Sequence, residues 1–222
     1  MRGRRIVAML GAAFVLGQTA AAHSAANVPD GHWIHIDIHQ KSLTLYQGTK
    51  VQKVWPVATG AWHTPSPIGT YTVNNRFFGE LGGFGTRFLG LNVPWGQYGI
   101  HGTNKPESIG SNASHGCIRM SIHDSEELYA LVGVGTKVVI EGGPYGLLDS
   151  GIRELEPGDR NSHVAAVQAR LLQLGYTCQW PDGIYGPDTQ KAVTKARSAL
   201  GLAQADKVDA ALYKALGIIA FE

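Results

Sequence analysis

The apolar residues of this chain change their spacing near residue 145, and that switch constrains the fold more than any other feature. Ahead of it they alternate: Ile34, Ile36 and Ile38 are separated by His35 and Asp37, and Leu43 and Leu45 flank Thr44. Side chains two apart share one face of a strand, so this is the pattern of half-buried sheet. Gln47-Gly48-Thr49 reads as a hairpin-like turn into a strand at 51–57, with further strands at 68–73 and 137–140. Pro65, Pro67 and the glycines at 79, 82, 83 and 85 mark long irregular loops. One helix is expected after Cys117, capped by Asp124, with Glu127 completing a capping-box-like pair and Leu128, Leu131 and Val132 on its apolar face. Behind the switch, Val164, Val167, Leu171, Leu172 and Leu174 fall on one face of a helix that stops at Gly175. Further helices are expected at 189–200 and 209–216, after turns at Asp182-Gly183 and Gly186-Pro187. The pattern predicts a mainly β domain at 31–141, a sandwich or partly closed barrel with a short helix. A linker at 142–151 and a small all-α three-helix domain at 152–217 follow.

The chain has 222 residues and a formal net charge of +2, with no Lys/Arg-rich block, which argues against a nucleic-acid partner. Arg2, Arg4 and Arg5 precede an apolar run at 6–16 and the small residues Ala20-Ala21-Ala22. This is the layout of an export signal over 1–22, cleaved after Ala22. The run is shorter than the roughly 20 residues that span a bilayer; the competing reading is an uncleaved N-terminal anchor. Arg4-Arg5 has little flanking support as a twin-arginine signal. The expected location is therefore outside the cytoplasm, in the cell wall or periplasm, with a monomer as the default. Of the two cysteines, Cys117 lies in a Gly- and His-dense stretch and Cys178 between two expected helices. Surroundings so different argue against a Cys117–Cys178 disulfide.

Reactive groups are densest from Tyr98 to Met120. His101 stands sixteen positions before Cys117, far enough for a loop to bring two neighbouring strands side by side. A thiol attacks as its thiolate, so acyl transfer by cysteine needs an imidazole within hydrogen-bond reach and a third group to hold that ring's tautomer. Backbone N–H groups around Gly116-Cys117 are placed to receive a developing oxyanion. Three other readings stay open on the residues alone. Cys117 can be a buried structural thiol, His101, His115 and Cys117 can be zinc ligands with His123 nearby, or either histidine can satisfy a loop hydrogen bond.

Ile100-His101-Gly102-Thr103 followed by Ser114-His115-Gly116-Cys117-Ile118-Arg119 resembles the active-site signature of the L,D-transpeptidase (YkuD-type) family. The resemblance runs in order through Trp33 to Tyr46, Val57 to Gly60, Thr64 to Tyr71 and Gly135 to Ile140, about residues 32–141. Arg119 stands where many members have Asn. The resemblance implies catalysis on peptidoglycan without a cofactor or metal. Cys117 attacks the amide between a diamino acid and the terminal D-alanine of a tetrapeptide stem. His101 is the base, oriented by the carbonyl of Gly102, and His115 shapes the pocket or supports the thiol. Ser114, Gly116 and Arg119 serve the substrate or the oxyanion. An amine on a neighbouring stem then resolves the thioester into a 3→3 cross-link, or water does so in an L,D-carboxypeptidase. Carbapenems are expected to acylate Cys117.

Leu155 to Arg160, Val164 to Leu172, Leu174-Gly175-Tyr176 and Asp182 to Thr189 resemble the type 1 peptidoglycan-binding domain. The chain departs from that pattern at Ala196-Arg197, where Phe-Gln is usual, and at Ala205-Asp206-Lys207, where an Asp-Gly is missing. The helical domain therefore either binds the wall or only packs against the first domain. Sortases share the order His, Cys, Arg but lack Ser-His-Gly-Cys. Papain-like wall hydrolases reverse the order of cysteine and histidine. A non-catalytic wall-binding protein has no need of all three of His101, His115 and Cys117.

Overall fold

The computed structural model describes residues 31–142, 152–177 and 179–218. The expected signal at 1–22, nearly all of the linker and Cys178 lie outside the described residues.

The strands are β1 (His32–Asp37), β2 (Ser42–Gln47), β3 (Lys50–Pro56), β4 (Thr59–Gly60), β5 (Gly69–Phe78), β6 (Arg87–Leu91), β7 (Tyr98–Gly102), β8 (Asn112–Ser114), β9 (Ile118–Met120) and β10 (Lys137–Glu141). One eight-stranded sheet has the order β3-β2-β1-β10-β5-β6-β7-β9, and β4 pairs separately with β8. The sheet curls until its ends nearly meet. Ala58, just past β3, exchanges two backbone hydrogen bonds with Arg119 of β9, at 2.8 and 2.9 Å. The alternation in β1 and β10 puts Ile34, Ile36, Val138 and Ile140 in one core with Leu43, Leu45, Ile100, Ile118 and Met120. The partly closed barrel with a short helix is thus the observed fold.

Three local features differ from the sequence expectation or add to it. The strand expected at 68–73 runs on to Phe78 and pairs with β6 as a hairpin, whose connecting loop holds the glycines at 79, 82, 83 and 85. β7 runs through Gly99, whose added Cβ would lie 2.4 Å from the Phe88 ring; glycine there marks a close approach within a sheet rather than a turn. Helix α1 (Ile122–Leu131) is capped by Ser121, not Asp124. Asp124 supplies the N–H that the Ser121 hydroxyl accepts and a carboxylate to which that hydroxyl donates, at 3.0 and 2.7 Å. Glu127 is turned away to Lys53 and Trp55, because a strand partner on β3 offers it a cation. β3 is the sheet edge, and Val51 and Val54 stay exposed on it.

The helical unit consists of α2 (Ser162–Gln173), α3 (Pro187–Ala199) and α4 (Ala210–Ala215). Its core gathers Leu155, Val164, Val167, Leu171, Tyr185, Val193, Leu212 and Tyr213. Asn161 and Asp209 cap α2 and α4 through their side-chain oxygens. Inside, the Gln168 amide nitrogen lies 2.8–3.0 Å from Asp182, the Ile184 carbonyl and Thr189. Its oxygen accepts the Gly183 N–H. Arg197, one of the departures from the family pattern, binds the carbonyls of Ala203 and Lys207 and pairs with Asp209 at 3.1 Å. It ties down the loop into α4, where the usual Asp-Gly is missing.

Candidate active site

β7 and β9 are parallel neighbours, with His101 opposite Arg119 and Gly102 opposite Met120. Cys117 immediately precedes β9, so this pairing delivers the thiol to the edge of the strand that carries the imidazole. His101 is buried. Its Nδ1–H donates to the Gly102 carbonyl at 2.5 Å, which fixes the tautomer and leaves Nε2 as a lone-pair acceptor. Two phenylalanines hold the ring. Phe88 stacks on it at 5.7 Å between centroids with an 11° interplanar angle, and Phe84 meets it edge-on at 4.8 Å.

Burial pushes the His101 pKa down; the Gly102 hydrogen bond opposes this and the Arg119 charge reinforces it. Burial pushes the Cys117 thiol up, against the pull of a hydrogen bond from the Gly99 N–H and of Arg119. Both shifts favour the uncharged form, since a low-dielectric site penalises each ion. At Cys117, burial outweighs both the Gly99 hydrogen bond and the Arg119 charge. The thiol of Cys117 is free.

The loop before Cys117 is locked by Ser114. Its hydroxyl donates to the Cys117 carbonyl at 2.5 Å and accepts the Gly116 N–H at 3.0 Å. That N–H is therefore engaged within the loop. Gly116 has φ +112°, and a Cβ there would lie 2.5 Å from the Tyr98 ring. A side chain would both strain the turn and displace the aromatic ring beside the thiol. His115 is exposed at the surface of this loop. Arg119 is half-buried on β9 and acts on both His101 and Cys117 through its charge. His123 is exposed on α1. Among the described residues, no three His, Cys, Asp or Glu side chains gather as a metal site.

Sequence reasoning missed Phe84, Phe88 and Tyr98. The first two lie on the hairpin and its tip, far from His101 along the chain and without any motif of their own. Tyr98 stood at the start of the reactive stretch, three residues before His101.

Similarity to known proteins runs through the same residues. The family described as the L,D-transpeptidase catalytic domain matches residues 31–140, and the one described as a peptidoglycan binding domain matches residues 160–216. The Bacillus subtilis (strain 168) protein named L,D-transpeptidase YkuD is 43% identical over 107 residues, which cover 48% of this chain and 64% of that protein. The chain thus spans less than two thirds of that relative. The protein named YqjB from the same strain is 31% identical over 128 residues, covering 51% of this chain and 73% of that protein. Among solved structures, the catalytic domain of an E. faecium L,D-transpeptidase aligns with a TM-score of 0.44 at 25% identity, covering 51% of this chain and 99% of that one. With the identity to YqjB extending over most of that protein's length, this chain belongs to the YkuD-type L,D-transpeptidase family.

Proposed function

We propose that the protein is a peptidoglycan L,D-transpeptidase that works through a thioester on Cys117. The observation that supports this best is the His101–Gly102 hydrogen bond, which leaves Nε2 unprotonated on the strand paired with the one Cys117 leads into. In the first half-reaction Nε2 accepts the thiol proton as Sγ attacks the carbonyl of the diamino acid. The bond to D-alanine breaks, and the departing amine takes that proton from the imidazolium. In the second, an amine of a neighbouring stem attacks the thioester, gives its proton to Nε2, and the thiol is restored. The cross-link is 3→3, and the energy of the broken amide carries through the thioester, so no nucleotide is required. Because Ser114 holds the Gly116 N–H, the oxyanion donor in this reading is the N–H of Cys117 itself. Arg119 supplies positive charge near the reacting carbonyl, and His115 lines the substrate entrance. Peptidoglycan lies outside the cytoplasm, which accords with the export signal read at 1–22; no helix among the described residues is long and apolar enough to cross a membrane.

The test is mass spectrometry of muropeptides after incubation of tetrapeptide-stem disaccharides with the protein and with Cys117→Ala. Dimers lacking one D-alanine, made only with the thiol present, are the expected result. Tripeptide monomers alone would reassign the protein as an L,D-carboxypeptidase, and no product from either would remove the reading.

A further inference from the structure

The helical unit is stitched to the segment that carries the loop of the nucleophile. Residues 61–68 are bound on one side to Ser114, whose carbonyl accepts from Ala61 N–H at 2.9 Å and from the Thr64 hydroxyl at 3.0 Å. On the other side the buried Ile68 N–H donates to the Ser162 hydroxyl at the start of α2, at 2.7 Å. Arg153 donates to the Trp62 carbonyl at 3.0 Å and lies over the Trp62 ring at 4.7 Å. Trp95 adds a third tie. It packs so closely on Gly183 that a Cβ there would sit 2.3 Å from the indole, and it hydrogen-bonds Tyr98 on its other side.

Between these ties the two units enclose a cleft of about 230 Å³. His115, Tyr98 and Trp95 line it from the barrel, and Arg153, Arg160 and Asn161 line it from the helical unit. A larger hollow of about 760 Å³ runs along α3 past Lys191 and Lys195, but its lining includes no cysteine, histidine or arginine. The smaller cleft adjoins the loop of Cys117, and its lining sets Arg153, Arg160 and the N-terminus of α2 opposite two histidines, His63 and His115, and the rings of Trp95 and Tyr98. Guanidinium groups pair with carboxylates through directed, charge-assisted hydrogen bonds, and aromatic walls exclude the water that screens them.

We propose that this cleft is a carboxylate-binding subsite for the peptide stem, with Arg153 and Arg160 of the helical unit as its cationic wall. The inference rests on the transpeptidase reading for the identity of the ligand. It gives the second domain a part in seating substrate at the thiol, beyond any contact with the wall. In this proposal Arg153 and Arg160 bind the substrate's carboxylate, away from the reacting atoms.

The test uses the full chain with Cys117→Ala, so that nothing turns over, and titrates a free-acid tetrapeptide stem, L-Ala-γ-D-Glu-diaminopimelyl-D-Ala, against its carboxamide form. Calorimetry is expected to show the acid binding on the order of tenfold or more tighter than the amide. In Arg153→Gln/Arg160→Gln that preference is expected to fall close to unity, with the unfolding temperature held near that of the parent. A preference that survives the double substitution, or no preference or no binding in the parent, would overturn the subsite. The muropeptide assay with Cys117 intact separates the two ideas. Dimers formed by a protein without the acid preference sink the subsite and leave the reaction standing. An Arg-dependent preference in a protein that makes no dimers does the reverse.

Discussion

His101 in the barrel and Arg197 in the helical unit are each 3% exposed, yet their hydrogen-bonding capacity is used in opposite ways. Arg197 reaches two carbonyls and a carboxylate, all within its own unit. His101 uses one ring nitrogen on its neighbour's carbonyl and holds the other, through the tautomer this imposes, ready to take a proton. A buried polar group normally costs stability unless it is paired. The helical unit meets that demand to fix a loop, whereas the barrel packs His101 against Phe84 and Phe88 and leaves a lone pair, which the proposed reaction uses. The difference teaches where to look for function: at the buried group whose pairing is incomplete by design of the tautomer, not at the one with the most bonds.

Substitutions can break that contrast. His101→Gln should lower acyl transfer roughly 100- to 10,000-fold, the range for a lost general base, with little change in the unfolding temperature; a large stability loss with residual activity would place His101 on the structural side. Arg197→Ala should do the opposite, destabilising the helical unit by about 2–4 kcal/mol. Thermal unfolding measures that, and the rate of Cys117 alkylation by iodoacetamide at 25 °C should stay the same. Gly116→Ala should cut turnover on the order of 100-fold, because the new methyl pushes Tyr98 and the thiol loop apart; an unchanged rate would show that this aromatic contact does not position the thiol.

The pH dependence sharpens the same comparison with smaller effects. The base form of His101 exists above its own pKa, which burial sets below the ordinary histidine value of about 6.5. The ascending limb of kcat/KM should therefore lie below that value. Alkylation without substrate reports the thiolate, which burial disfavours, so its midpoint should lie above the ordinary thiol range. Coincident midpoints would instead indicate a preformed thiolate–imidazolium pair.

The barrel and the three helices were legible in the sequence because backbone periods of two and 3.6 impose themselves on any chain that buries one face. Ile34, Ile36, Val138 and Ile140 fall in the core where that rule puts them. The length of β5 and its pairing with β6 were not legible, since Asn74 and Asn75 interrupt the apolar alternation and Gly90 of β6 marks a close approach to Asn75. Nor was the cap of α1, because Ser121 and Asp124 are both good capping residues and only the backbone geometry chooses Ser121. His101 and Cys117 stood out through chemistry and order along the chain, which are covalent properties. What tertiary structure alone decided depends on distant parts of the chain meeting. Ser114 takes up the Gly116 N–H, burial outweighs Arg119 at the thiol, Phe84 and Phe88 close on His101, and Arg153 and Arg160 arrive beside His115. Periodicity and motif order are written locally, whereas burial, charge and register at a site sum contributions from residues far apart in sequence, and only the folded chain adds them.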